Sequence, residues 1–168
     1  NSNDPIAQLM LGVIFYEDKY VSRDIKKSIH YLTQSASQNQ SFAQFLLSNI
    51  YMEDKSVQNI TKSIKYLQNS AYNKCREAQL ILADLLFEGI HLKHEIEKII
   101  HLYKEASCFN DQYAKNNLGV IYKNGISGIN KNLSLAKEYF KEAVAQKNDA
   151  VSMFNLSNLL INEEQEPK

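Results

Sequence analysis

The 168-residue sequence has no tryptophan, two prolines, five glycines and two cysteines. Two cysteines, Cys75 and Cys108, are too few for a disulfide scaffold. Excess charge is also missing: 19 basic side chains meet 19 acidic ones, the net charge is zero and the pI is near 7.1. A nucleic-acid binder, or a protein held on an anionic membrane, needs a cationic surplus, so both classes are disfavoured. Lysine supplies 17 of the bases and arginine only 2, which leaves few groups able to clamp a phosphate through two parallel hydrogen bonds. No stretch approaches the ~18 uninterrupted apolar residues of a membrane-crossing helix. The opening residues, Asn1-Ser2-Asn3-Asp4-Pro5, hold neither an initiator Met nor an apolar signal segment, as expected of a fragment or a processed product. A cytoplasmic location is favoured, with a secreted or periplasmic one the alternative if a signal peptide has been removed.

What is present is enough to build a core. Apolar residues make up 44% of the chain and charged ones 23%, which excludes wholesale disorder. Ten Tyr and seven Phe supply the large pieces in place of Trp. The length fits one compact domain or one stretch of a repeat array, and a repeat is visible. Ala stands at 7, 43, 78, 114 and 150, in steps of 36, 35, 36 and 36. Four and five residues after the first four of these stand Leu11-Gly12, Leu47-Ser48, Leu82-Ala83 and Leu118-Gly119. Eight residues on comes a bulky side chain, Phe15, Tyr51, Leu86 or Tyr122; eleven on comes a turn former, Asp18, Asp54, Gly89 or Gly125. A second pattern begins at Ser28, Ser63, Ile99 and Ala136. An aromatic follows it within three or four residues: Tyr31, Tyr66, Tyr103, or the pair Tyr139-Phe140. Small pairs then recur at Ser35-Ala36, Ser70-Ala71, Ala106-Ser107 and, less cleanly, Ala143-Val144.

Both patterns have helical spacing, with apolar and small residues at three- and four-residue steps and no strand-like alternation. Each unit is therefore expected to be a helix, a short variable loop, a second helix and a tight link. Asp4 before Pro5, Asp24, Asn59 and Asn132 are the expected N-caps. Two helices cannot bury both apolar faces alone, whereas stacked hairpins can. The expected fold is all-α: a right-handed α-solenoid of about four helical hairpins plus a ninth C-terminal helix, a superhelix with one concave surface. The expected domain is 1–168, with repeats at about 5–40, 41–75, 76–111 and 112–147, a terminal helix over 148–162 and a polar tail over 163–168. Phe154, Leu156 and Leu159 are the expected buried face of the terminal helix.

The unit A-x3-L-G-x2-Y-x2-G, a loop, then A-x2-Y-x3-A-A resembles the Sel-one-like repeat family, a relative of the tetratricopeptide repeats. The fourth copy carries it most clearly: Ala114, Leu118-Gly119, Tyr122, Gly125, then Ala136, Tyr139 and Ala143. The likeness covers nearly the whole chain, and its period of 35 to 36 differs from the 34 of tetratricopeptide units. Asp18 and Asp54 replace the loop Gly, and Asp tolerates a left-handed turn there. The resemblance implies a protein-interaction module, an adaptor or scaffold in signalling, quality-control or host-interaction complexes. A cysteine-rich bacterial branch of the family is associated with β-lactam binding or hydrolysis, which is the alternative reading. A structural or oligomerisation segment of a longer protein is a third.

Catalytic and metal chemistry is poorly represented. His91, His94 and Glu95, with His101 further on, could supply zinc ligands, but they straddle the expected loop and helix start. Ser134-Leu135-Ala136-Lys137 matches a Ser-x-x-Lys acylation motif, yet it lies inside a repeat helix with no partner motif. Cys75 and Cys108 occupy non-equivalent repeat positions, so the paired-Cys pattern of the β-lactam-associated branch is missing. There is no glycine-rich phosphate loop and no G-x-S-x-G. No catalytic residue, metal or cofactor is assigned, and the expected chain is not an enzyme.

In related superhelices the first helix of each hairpin lines the concave groove. Its groove positions fall about two, six and nine residues after each leading Ala, off the Leu-Gly-Tyr packing ridge. These are Leu9, Val13 and Tyr16; Phe45, Asn49 and Met52; Leu80, Asp84 and Phe87; and Asn116, Val120 and Lys123. Leu9, Val13 and Leu80 could equally be core between repeats. Tyr16, Phe45, Asn49, Met52, Asp84, Phe87, Asn116, Val120 and Lys123 are the candidate binding residues. Their mixture of aromatics, Met and amides suits a peptide groove, where apolar pockets hold side chains and amides pair with an extended backbone. The expected partner is a protein or peptide segment, with no nucleic acid and no membrane span.

Overall fold

The computed structural model describes residues 3–89, 91–126, 128–145 and 149–165. Among them are nine α-helices and no strand: α1 Pro5–Tyr16, α2 Ile25–Ser37, α3 Ser41–Glu53, α4 Ile60–Tyr72, α5 Arg76–Glu88, α6 Ile96–Ser107, α7 Gln112–Asn124, α8 Leu133–Val144 and α9 Ala150–Gln165. Helix starts follow the capping signals. The side chains of Asp4, Asp24, Asn59 and Asn132 each accept a hydrogen bond from a first-turn N–H, satisfying a donor that has no partner inside the helix. Gln40 and Asp111 do the same for α3 and α7. Glu95, at the corresponding position of α6, makes no such bond.

Residue contacts divide the chain into two compact units, 1–82 and 83–168, with the division inside α5. In the first unit α1 packs on α2, α2 on α3 and α3 on α4. Leu9, Leu32, Ala36, Ala43, Leu47, Ile50 and Tyr51 form its core. The small residues at fixed repeat positions let helices touch through hydrogen bonds as well as apolar contact. Ser28 Oγ donates to the Gly12 carbonyl and Ser63 Oγ to the Ser48 carbonyl, both at 2.8 Å. Two turns further on, Ser35 donates to the Pro5 carbonyl at 2.6 Å and Ser70 to the Ser41 carbonyl at 2.7 Å. Repetition extends to the rings: Phe15 stacks on Tyr31 and Tyr51 on Tyr66, with centroids 5.8 and 5.9 Å apart and planes within 6°. Gln8 and Gln44, each just after the leading Ala, are also buried. The amides of Gln38 and Asn73 donate to them at 2.8 and 2.9 Å. Outside this core, Arg23 in the loop after α1 bonds to Asp54 after α3 at 2.7 Å.

In the second unit α6 packs on α7, α7 on α8 and α8 on α9, which also reaches α7. Phe140 and Leu159 are almost fully enclosed, and Tyr122 stacks on Tyr139 at 5.8 Å. Gly119 has a packing reason to be glycine: a Cβ there would lie 2.5 Å from Phe140 Cε1. Gly12 of the first unit stands in the same relation to Leu32 Cγ, also at 2.5 Å.

Two expectations need correction. Asp18 and Asp54 are not left-handed; Asp54 has φ −78°, and its carboxylate accepts from Ser56 N at 2.9 Å and Ser56 Oγ at 2.5 Å. These bonds hold the Asp54 carboxyl below the usual carboxylate range. Left-handed non-glycine residues instead cluster at the links between hairpins, at Asn39, Lys74 and Asn110, besides His91. Phe154 is 65% exposed, whereas Leu159 is 2% exposed and Leu156 half-buried. The face of α9 carrying Ser152, Leu156 and Leu159 is turned inward, which leaves Val151, Met153 and Phe154 outside.

Among the described left-handed links between hairpins, Lys74 lacks the side chain its conformation favours, since Asn occupies the links at 39 and 110. A side chain beyond Cβ other than Asn or Asp pays about 1 kcal/mol in the left-handed region. Lys74→Asn is therefore expected to raise the thermal midpoint by roughly 2–4 °C, read by circular dichroism. An unchanged or lower midpoint would show that φ at this link is not the limiting strain.

Candidate functional site

The positions six and nine residues after the leading Ala meet in the second unit. Asp84 and Phe87 of α5 and Val120 of α7 line one cleft of about 170 Å³ together with Glu88, Tyr103, Tyr113, Asn117 and Ile121. Its distinctive member is Tyr103 on α6. Counted from the cap positions of the second helices, Tyr103 stands where Leu32, Leu67 and Phe140 stand in the other copies. Those three are enclosed apolar plugs, and Tyr103 is likewise buried, but it carries a hydroxyl at its end. That hydroxyl donates to Asp84 Oδ1 at 2.5 Å, and the hydroxyl of Tyr113 donates to Asp84 Oδ2 at 3.0 Å.

Burial, and then the bond to Asp84, push the Tyr103 phenol far above its ordinary pKa. Tyr113 is raised too, first by burial and then by the nearby acids Asp84 and Glu88, with Asn117 pulling the other way. Both phenols therefore stay protonated and donating. Phe87 is 40% exposed and closes one side; its carbonyl lies 3.3 Å from His94 Nδ1. The aromatic that faces the second helix in other copies is Leu86 here, buried beside Phe87 in sequence.

The remaining candidates are distributed as follows. Tyr16 is half-buried, packs against the core of the first unit and lies under the Arg23 guanidinium, 5.0 Å from the ring centroid. Phe45, half-buried, packs its ring 5.9 Å from the exposed Phe42. Asn49 and Met52 are half-buried on α3, and Lys123 is half-buried near the end of α7. Asn116 is only 7% exposed: α9 covers it, and its Oδ1 accepts from Asn155 Nδ2 at 2.9 Å. Its amide oxygen is thus engaged inside the fold rather than presented to a ligand. Leu9 belongs to the core of the first unit, Val13 packs against that core, and Leu80 is half-buried.

Four of the cleft's residues are not among the groove positions of the sequence pattern: Tyr103, which enters that pattern only as a repeat aromatic, and Tyr113, Asn117 and Glu88. Tyr103 was legible only by counting from the cap, because an aromatic three residues after the repeat's small residue and one four residues after it look alike in sequence. The other three lie off the positions used to define the groove.

Elsewhere the chemistry is sparse. Among the described residues no group of three His, Cys, Asp or Glu is placed to hold a metal. His101 faces Glu105 on the same helix at 3.6 Å, and His91 sits in the left-handed turn before α6. Cys75 is buried and Cys108 exposed; both are free thiols, and burial pushes the Cys75 thiol upward. Ser134 is exposed in the first turn of α8, with Lys137 half-buried one turn on. No helix among the described residues is long and apolar enough to cross a membrane.

The Sel1 repeat family model matches residues 5–40, 41–75, 76–108 and 112–148. A solved Sel1 repeat protein from Oxalobacter formigenes is similar at 22% identity with a TM-score of 0.88, over 98% of this chain and 68% of that one. The Helicobacter pylori cysteine rich protein B is similar at 24% identity and TM-score 0.56, over 82% of this chain and 99% of that one. The antigen c5321 of uropathogenic Escherichia coli, described as displaying an SLR fold, is similar at 18% identity and TM-score 0.54. It is covered over 42% of its own length and 95% of this chain's. No curated protein matches the chain. The shared fold is an all-α helical repeat, and four consecutive family matches over most of the sequence place this chain in the Sel1 repeat family.

Proposed function

We propose that this Sel1 repeat chain is a non-enzymatic adaptor that holds a protein or peptide segment on the exposed faces of its first helices. The observation that carries the reading is the convergence of Asp84, Phe87 and Val120. These residues come from successive first helices and lie off the packing ridge, and they border one open cleft with an exposed ring at its edge. Binding sites for protein segments combine apolar and aromatic anchors with a few fixed polar groups, and this cleft has both. Asn116, covered by α9, plays no direct part.

The test is selection of a displayed random-peptide library on the intact chain, followed by affinity measurement of the enriched peptides. Phe87→Ala is expected to weaken them about tenfold or more, as truncation of an aromatic anchor does. Since Phe87 is 40% exposed, the fold should be kept. Binders whose affinity ignores both Phe87→Ala and Val120→Ala would reject the assignment.

A further inference from the structure

The cleft on α5, α6 and α7 carries a charge that peptide binding alone does not call for. Two of its eight lining residues are acids, Asp84 and Glu88, and none is Lys, Arg or His. The chain as a whole is neutral, so this acidity is local. Asp84 is fixed rather than mobile: Tyr103 donates to one of its oxygens and Tyr113 to the other. An ionised carboxylate offers about four lone-pair sites, so each oxygen keeps room for one further donor. Because the phenols stay protonated, they orient the carboxylate without competing for a cation. Phe87 and Tyr113, both partly exposed, add ring faces at the same cleft.

The geometry points to an arginine side chain of the bound segment as the occupant, its guanidinium paired with Asp84 and laid against Phe87 or Tyr113. Arginine fits better than lysine for three physical reasons. Its planar fork places two parallel N–H groups on the two oxygens of one carboxylate. It is more weakly hydrated than an ammonium, so entering a half-buried cleft costs less. It also stacks on aromatic faces. Glu88, one turn beyond Asp84, adds long-range attraction at the rim. This assignment rests on the adaptor reading and names one side chain of the segment it would hold.

The test titrates the 15N-labelled 168-residue chain with acetyl-Gly-Gly-Arg-Gly-Gly-amide and, separately, with the same peptide carrying citrulline or lysine. Citrulline keeps the shape of arginine and lacks its charge. Saturable shifts are expected at amides within 84–88 and 113–121, with citrulline weaker by about tenfold or more, since a charge-assisted bond is lost. Lysine should fall between the two. Asp84→Asn, which keeps an oxygen for the phenols, should weaken the arginine peptide by a similar factor. Glu88→Gln lies on an exposed residue that cannot compromise folding, and it should reduce affinity about threefold at low salt. Equal binding of citrulline, equal binding of lysine, shifts confined to other surfaces, or no saturation would each overturn the proposal. If the arginine probe fails while library peptides still lose affinity on Phe87→Ala, the cation assignment falls and the adaptor reading stands. If neither responds, both fall.

Discussion

Phe140→Ala should lower the stability of the second unit by about 3–5 kcal/mol, because the ring is fully enclosed and its removal leaves a cavity between α7 and α8. Gly119→Ala should cost about 1–3 kcal/mol for the opposite reason, overpacking, since the added Cβ would sit 2.5 Å from the same ring. The informative experiment is the pair. The second repeat places Ser48 and Leu67 at the positions held here by Gly119 and Phe140, and both are buried there without a glycine. The leucine plug Leu67 thus accepts a Cβ opposite it, whereas Leu32 would lie 2.5 Å from a Cβ on Gly12, so helix separation as well as plug size sets the fit. Gly119→Ala combined with Phe140→Leu should be less destabilised than the sum of the two single changes by at least about 0.5 kcal/mol, the signature of residues in contact. Urea unfolding followed by circular dichroism, with hydrogen exchange at α7 and α8 to localise the loss, measures all four states. Additive effects would mean that this close approach does not set the packing of the hairpin.

That relation shows what the sequence made legible. The phase of Ala, Leu, the small residue and the ring is a direct imprint of helices that must approach closely at one point and fill space at another. Spacing thus revealed the helices and the hairpin pairing of α1 with α2, α3 with α4 and α7 with α8, and residue type revealed the caps Asp4, Asp24, Asn59 and Asn132 but not Gln40 or Asp111. Where spacing failed, two side-chain solutions fit one backbone. Tyr103 satisfies the demand for a large buried residue as Leu32 and Leu67 do, and nothing in the pattern says that its hydroxyl will find Asp84. Asn116 stands at the same offset from its leading Ala as Phe45 and Leu80, and only the arrival of α9 decides that it is covered. Asp54 looks like a substitute for a left-handed glycine, yet an aspartate can close a loop by accepting hydrogen bonds from Ser56 instead. Local periodicity encodes which faces are buried; the chemistry at a site depends on neighbours that periodicity does not name.

Leu47→Ala is expected to cost about 2–5 kcal/mol, whereas Leu11→Ala, at the same position of the first repeat, should cost no more than about 0.5–1 kcal/mol. The residues are identical in type, in offset from the leading Ala and in helix position. Their surroundings differ. Leu47 is fully buried in a cluster with Leu32 and Ala36 of α2, the second helix of the hairpin before it. Leu11 is 38% exposed, and no helix precedes α1 among the described residues. The leucine of the repeat signature thus acts through the neighbouring hairpin rather than its own, which is how an array of repeats gains most of its stability. Because about 25 cal/mol is gained per Å² of apolar surface removed from water, a leucine still partly wet has little to lose on truncation. Denaturation midpoints of the two variants of the 168-residue chain decide the matter. Equal losses would mean that the signature leucine stabilises its own hairpin, and the neighbour-dependent account of this fold would have to be abandoned.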